Sequence, residues 1–203
     1  MEPLNFVIAG VGGQGTLVAS DIIARVGLLA GLDVKKSEVH GMAQRGGAVI
    51  SQVRWGWEVA SPMCEKGTAD FLIALEQLEA LRWLDYPKPE GAILYNLQQI
   101  PPSGTVFGDD VYPDPDTVRQ RLESAVERVV AIEATRIADE LGHLRVANVV
   151  MLGALSRLIV GVDPNLWQQG VAERVPRKAL DLNLQALVIG AEQVGETLAA
   201  ARS

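Results

Sequence analysis

Leu4-Asn5-Phe6-Val7-Ile8-Ala9-Gly10-Val11-Gly12-Gly13-Gln14-Gly15 reads as a short apolar strand running straight into a glycine turn. The residues that follow read as a helix. Ala19, Ile22, Ile23, Val26, Leu29 and Ala30 recur at the i, i+3, i+4, i+7 spacing of one helical face, while Ser20, Asp21 and Arg25 lie off it. Gly31 is placed to end that helix at the position where a left-handed residue is needed. Strand, glycine turn and helix together make a cradle for an anion. Glycines let the backbone approach a ligand, and the first helical turn offers unpaired N–H groups and a partial positive charge.

Gly10, Gly12 and Gly15 match the spacing G-x-G-x-x-G, with Gly13 and Gln14 between them. A dinucleotide site also wants an acidic residue about 20 positions on, at the end of the second strand, to hold ribose hydroxyls. That region reads Asp33-Val34-Lys35-Lys36-Ser37-Glu38, where lysines dominate and Lys36 suits a phosphate better than a free ribose. The pattern favours phosphate binding over NAD. Its simpler reading is that the glycines only let the first helix pack closely on the first strand. Tyr86, Tyr95 and Tyr112 lack the lysine four residues on that a nicotinamide-dependent reductase would use.

A second glycine-rich stretch, His40-Gly41-Met42-Ala43-Gln44-Arg45-Gly46-Gly47, follows strand two and is expected at the same carboxyl edge as the first. Arg45 before Gly46 and Gly47 can set a guanidinium beside exposed backbone, a bidentate partner for phosphate or carboxylate. His40 can hydrogen-bond or titrate beside it. Equally, the glycines can serve only as a connection into strand three, with Arg45 paired to an acidic neighbour.

Alternation of strand and helix predicts an α/β fold, a Rossmann-like mostly parallel sheet with helices on both faces and a helical C-terminal third. Strands are expected at 4–9, 33–38, 48–55, 70–75, 92–96 and 129–133. Gly56 suggests a hairpin from strand three continued by Glu58-Val59-Ala60, and Pro87 and Pro89 read as punctuation before the fifth strand. Helices are expected as a short segment after the fourth strand through Trp83, over 116–128, and throughout from Ala147 with breaks at 161–164 and near Pro176. Asp163-Pro164 reads as an N-cap and first helical residue. The expected organisation is one domain, 1–203, with an α/β core to 146 and C-terminal helices beyond.

With 203 residues, 48% hydrophobic, the chain supports a large core, and its net charge of −7 argues against nucleic acid. The longest apolar stretch, 146–162, is short and interrupted by Asn148 and Arg157, so no membrane span is expected. Met1-Glu2-Pro3 carries no basic leader, which points to the cytoplasm. One cysteine, Cys64, and two histidines, His40 and His143, leave no ligand set for a cluster or an imidazole-rich metal site. Cys64 is expected to be structural. Trp55, Trp57, Trp83 and Trp167 suit either a partner interface or the core.

Taken together, Phe6 to Gly15 and His40 to Gly47, with Gly67-Thr68-Ala69-Asp70 and Asn148-Val149-Val150-Met151-Leu152-Gly153-Ala154, resemble the gamma-type subunit or domain of 2-oxoacid:ferredoxin oxidoreductases. Within that family the similarity is greatest to the small, beta-type subunits of the indolepyruvate branch, and it runs along nearly the whole chain. The resemblance implies oxidative decarboxylation of an aryl 2-oxoacid with coenzyme A and ferredoxin. It places thiamine diphosphate, Mg and [4Fe-4S] clusters on a catalytic (alpha) partner subunit, in a heterotetramer. The lone Cys64 agrees, as does Gly108-Asp109-Asp110 without the asparagine pattern of a thiamine diphosphate site. By itself the chain is then inactive, contributing coenzyme A binding and assembly. A purely structural subunit and a stand-alone nucleotide-binding oxidoreductase are the competing readings.

Overall fold

The computed structural model describes residues 3–40, 47–102 and 111–200, with side chains at all of these except 39, 40 and 195–200. Among them, six strands form one sheet: β1 (Leu4–Val11), β2 (Asp33–His40), β3 (Ala48–Gly56), β4 (Ala69–Ala74), β5 (Pro87–Asn96) and β6 (Arg128–Ile132), in the spatial order β2-β3-β1-β4-β5-β6. β1, β4, β5 and β6 pair in parallel, whereas β3 runs antiparallel to both β1 and β2. The expected mostly parallel sheet is present.

β1 sits at the centre and is buried on both faces, which explains its unbroken apolar run. Phe6 and Ile8 point to one face, where α1 (Thr16–Leu29), α4 (Ala134–Glu140), α5 (Ala147–Ser156), α6 (Pro164–Arg174) and α7 (Leu180–Ala200) gather. Val7 and Ala9 point to the other, covered by α2 (Gln77–Arg82) and α3 (Pro115–Glu123). Helices therefore cover both faces, as expected, but unequally. Phe6 lies 4.6 Å from Trp55 between ring centroids, and Trp55 lies 6.3 Å from Trp167, so two of the four tryptophans knit sheet to helices. Trp57, by contrast, is 69% exposed.

α1 ends as its sequence predicts. Gly31 has φ +78, and its N–H and that of Leu32 donate to the carbonyls of Leu28 and Gly27, which satisfies two terminal acceptors. Asp163 caps α6 by accepting from the Asn165 N–H at 2.9 Å, with Pro164 in the first turn. The long apolar stretch at 146–162 is accounted for by α5, whose residues Asn148 to Leu155 are all buried. There α5 crosses α7 at two glycines: a Cβ on Gly153 would stand 2.1 Å from the Leu187 carbonyl oxygen, and one on Gly190 would stand 2.0 Å from that of Val150.

Three local expectations are corrected. Residues 58–60 form no strand; the Val59 N–H instead donates to Asp33 Oδ2 at 2.9 Å, tying the loop back to the start of β2. Pro87 and Pro89 lie within β5, not before it. Between the pairs Ala69↔Pro87 and Phe71↔Ala92 the register shifts, and this irregular stretch tolerates residues without an N–H. Finally, α4 follows β6 where no helix was read.

The topology also bears on the missing ribose acid. In a dinucleotide fold strand two lies beside strand one, but here β3 is interposed. β2 is therefore two strand spacings, roughly 10 Å, from β1.

Candidate functional site

The glycine turn leaves β1 at the carboxyl edge of the parallel strands and is braced from three sides. Gly13 and Gly15 adopt φ +99 and +83, the left-handed region where a side chain is disfavoured. Gly12 donates its N–H to the Gly47 carbonyl at 3.0 Å, extending the β1–β3 pairing by one step. That N–H is spent within the protein. Gly15, the residue preceding α1, gives its carbonyl to Ala19 N–H and to Asn148 Nδ2, the latter at 3.1 Å. A Cβ at Gly15 would stand 2.4 Å from Asn148 Nδ2, so the start of α5 needs glycine there. The first-turn N–H groups of Thr16, Leu17 and Val18 have no carbonyl of their own helix to bond.

Gln14 provides the third brace. Its Oε1 accepts the Val11 N–H at 2.7 Å, and its Nε2 donates to the Leu75 carbonyl at 2.8 Å and to Gln98 Oε1 at 2.9 Å. Gly10 makes room for this side chain, since a Cβ there would lie 3.0 Å from Gln14 Oε1. Asn96, at the end of β5, donates to the same Leu75 carbonyl at 3.1 Å and to Thr135 Oγ1 at 2.8 Å. Thr135 in turn donates its hydroxyl to Gln98 Oε1 at 3.1 Å and its N–H to Asn96 Oδ1 at 3.3 Å. These groups enclose a cavity of about 160 Å³ at the carboxyl ends of β1, β4 and β5, lined by Gly13, Gln14, Gln98, Thr135, Arg145 and Asn148 among others.

Beside the cavity, buried Glu76 fixes the exits of β4 and β5. It accepts from the N–H groups of Glu79 and Ile100 at 2.9 and 3.0 Å and from the Tyr112 hydroxyl. Burial, reinforced by that bond to Glu76, pushes the Tyr112 phenol well above its ordinary pKa. The hydroxyl therefore stays protonated and acts here as a tie, not as an acid.

Of the residues the sequence singles out, Gly10, Gly12, Gly13, Gln14 and Gly15 build the turn, and Gly47 joins it through its carbonyl. His40 closes β2 opposite Val49. Arg45 and Gly46 lie outside the described residues. Lys36 is not brought to the turn: it sits within β2, because that strand runs on to His40, and its ammonium pairs with Asp21 and Glu38. Burial opposes its charge, but hydrogen bonds to those two carboxylates outweigh it and hold its pKa above the ordinary lysine value. Glu38, the one acid that might have served a ribose, is used in the same cluster. Cys64 is buried, and burial pushes its thiol pKa up despite a 3.4 Å contact with the Thr68 hydroxyl. Such a thiol is a poor nucleophile. Among the described residues no three His, Cys, Asp or Glu side chains are grouped to hold a metal, and no helix is long and apolar enough to cross a membrane.

Asn96, Gln98, Thr135 and Arg145 were not read as site residues. The available signal was positional: Asn96 ends an apolar strand, Gln98 lies just beyond it and Thr135 follows the last strand, so their polar side chains emerge at the carboxyl edge.

A mixed, mostly parallel sheet with a braced glycine turn and a small polar cavity at its carboxyl edge defines a Rossmann-like α/β class of protein. The pyruvate ferredoxin/flavodoxin oxidoreductase family model matches residues 5–193, and the chain belongs to that family. The indolepyruvate oxidoreductase subunit IorB of Archaeoglobus fulgidus is 39% identical over 193 residues, covering 94% of each chain. The 2-oxoglutarate:ferredoxin oxidoreductase from Magnetococcus marinus, with 2-oxoglutarate, coenzyme A and succinyl-CoA bound, is similar at a TM-score of 0.73 and 26% identity, covering 97% of this chain and 32% of that one. A keto/oxoacid ferredoxin oxidoreductase gamma subunit from Geobacter sulfurreducens shares the fold, with a TM-score of 0.70 at 24% identity over 94% of this chain and 98% of that one. The family read from the two glycine motifs is thus the family found.

Proposed function

We propose that this chain is the small subunit of an aryl 2-oxoacid:ferredoxin oxidoreductase, preferring a substrate such as indolepyruvate, and that it contributes coenzyme A binding and complex assembly. The observation that carries the reading is the end-to-end similarity to an indolepyruvate oxidoreductase subunit, with 94% of both chains covered. In the overall reaction the 2-oxoacid loses carbon dioxide, two electrons pass to two oxidised ferredoxins, and the acyl group becomes a thioester of coenzyme A. One buried cysteine cannot hold a cluster, which supports placing the [4Fe-4S] clusters on the catalytic partner, and the family resemblance places thiamine diphosphate and Mg there with them.

The chain's own part is to receive the acyl acceptor. The pyrophosphate of coenzyme A fits the first turn of α1, where Gly13, Gly15 and the free N–H groups stand, with Arg45 supplying charge-assisted hydrogen bonds. His40, Gly46 and Gly47 belong to the same stretch of sequence as Arg45, and its glycines suit close approach of backbone to the ligand. A cavity of about 160 Å³ is too small for all of coenzyme A, so one portion occupies it and the thiol end reaches the partner subunit. The whole chain acts as one domain in the cytoplasm, two copies with two catalytic subunits.

The test is co-expression with the thiamine-containing subunit, purification through a tag on this chain, and an assay of 2-oxoacid- and coenzyme A-dependent dye reduction. Activity in the co-purified complex and in neither part alone is the expected result; failure to associate overturns it. Arg45→Ala separates binding from a purely structural role. A rise in KM for coenzyme A with the complex intact supports binding, whereas loss of assembly alone supports the structural subunit.

A further inference from the structure

The hydrogen bonds around the cavity have one direction, set by backbone groups whose polarity cannot change. The Val11 N–H fixes Gln14 Oε1 as acceptor, which turns Gln14 Nε2 toward the Leu75 carbonyl and Gln98 Oε1. The Thr135 N–H fixes Asn96 Oδ1 as acceptor, which turns Asn96 Nδ2 toward the Leu75 carbonyl and Thr135 Oγ1 and leaves the Thr135 hydroxyl to donate to Gln98 Oε1. Gln98 Oε1 thereby receives two donors. Its amide orientation is fixed by them, and its NH2 has no partner among the described residues. Across the same cavity the Gly15 carbonyl fixes Asn148 Nδ2 as donor. Asn148 is 4% exposed, and its Oδ1 is buried without a partner among the described residues.

We infer that the cavity binds a neutral group carrying both a hydrogen-bond acceptor and a hydrogen-bond donor, with Gln98 NH2 donating to the acceptor and Asn148 Oδ1 receiving the donor. A phosphate offers only acceptors and would leave the Asn148 oxygen facing negative charge. The pyrophosphate therefore stays outside this cavity, at the helix end. This inference rests on the coenzyme A reading, and that molecule has two portions of the required chemistry: the amides of its pantetheine arm and the N1/N6 edge of its adenine.

The experiment is calorimetric titration of the purified two-subunit complex with coenzyme A, pantetheine and 3′,5′-ADP, for wild type, Gln98→Leu and Gln98→Glu. Gln98→Glu keeps the side chain's shape and its bonds from Gln14 and Thr135 but turns the outward donor into an acceptor. It is expected to weaken coenzyme A and one of the two fragments by about tenfold or more, with the weakened fragment identifying the portion in the cavity. Gln98→Leu should weaken the same fragment, by less. Unchanged binding of both fragments to a Gln98→Glu complex overturns the inference while leaving the coenzyme A reading in place. If the wild-type complex is active and the Ala147→Trp complex, in which the cavity is filled, binds coenzyme A with undiminished affinity, the coenzyme A reading at this site is overturned, and the inference with it.

Discussion

Glycine does two different jobs in this molecule, one at the turn after β1 and one at the crossing of α5 and α7. At the crossing, Gly153 and Gly190 take ordinary helical backbone and are needed only because the facing helix lies where a Cβ would go. At the turn, Gly13 and Gly15 are needed for a left-handed backbone, and only Gly15 is also crowded. The crossing is a packing constraint with no polar component, whereas the turn is a conformational constraint held by hydrogen bonds. Stability should depend chiefly on the first and ligand binding on the second.

That contrast is broken or sharpened by substitutions of graded effect. Gly153→Val should be the most damaging, since two helices cannot separate locally without opening the core. A loss of about 3 kcal/mol or more, or failure to fold, is expected in urea unfolding. Gly15→Ala should cost about 2 kcal/mol, combining the left-handed backbone with displacement of the Asn148 amide. Gly13→Ala, with open space around its added Cβ, should cost only about 1 kcal/mol. Equal losses for Gly13→Ala and Gly15→Ala would remove the role assigned to Asn148.

The smallest effect belongs to the ionic cluster that absorbs Lys36. Burial alone would raise the pKa of Asp21, but hydrogen bonds to Lys36 and Arg174 outweigh it and hold the carboxyl below the ordinary aspartate value. A depressed carboxylate pKa stabilises the fold above the unfolded-state value and ceases to do so as pH falls through the folded-state value. Asp21→Asn should therefore cost less than about 1 kcal/mol at pH 7, these side chains being partly exposed, and the gap from wild type should close as pH drops below about 4. A gap that persists into stronger acid would assign the loss to packing instead.

Sequence periodicity made the local elements legible where their pattern is complete within the segment. β1, α1 with its Gly31 terminus, β4, α2 and the Asp163 cap are examples. Pairing between distant segments was not legible: nothing in the residues of β3 announces that it will insert between β1 and β2. The seven-residue α4 was missed because Thr135, Arg136, Asp139 and Glu140 leave too short an apolar stripe. At the candidate site the turn's positive-φ glycines could be read from the chain. The Gln98 relay could not, because its members come from the turn after β1, the end of β5 and the residues just beyond it, and α4, and acquire a direction only when those segments meet. Lys36 was placed at a strand end because the strand was read two residues short.

The interposed β3 bears on how the chain is made. β1 emerges from the ribosome before either strand that flanks it, and the residues that pair it with β4 are 65 positions away, Phe6 facing Phe71. Until β3 and β4 are synthesised, its apolar run has no sheet to join. Such long-range closure makes for slow folding. The segment that leads into the glycine turn is therefore also one that needs protection from aggregation during synthesis.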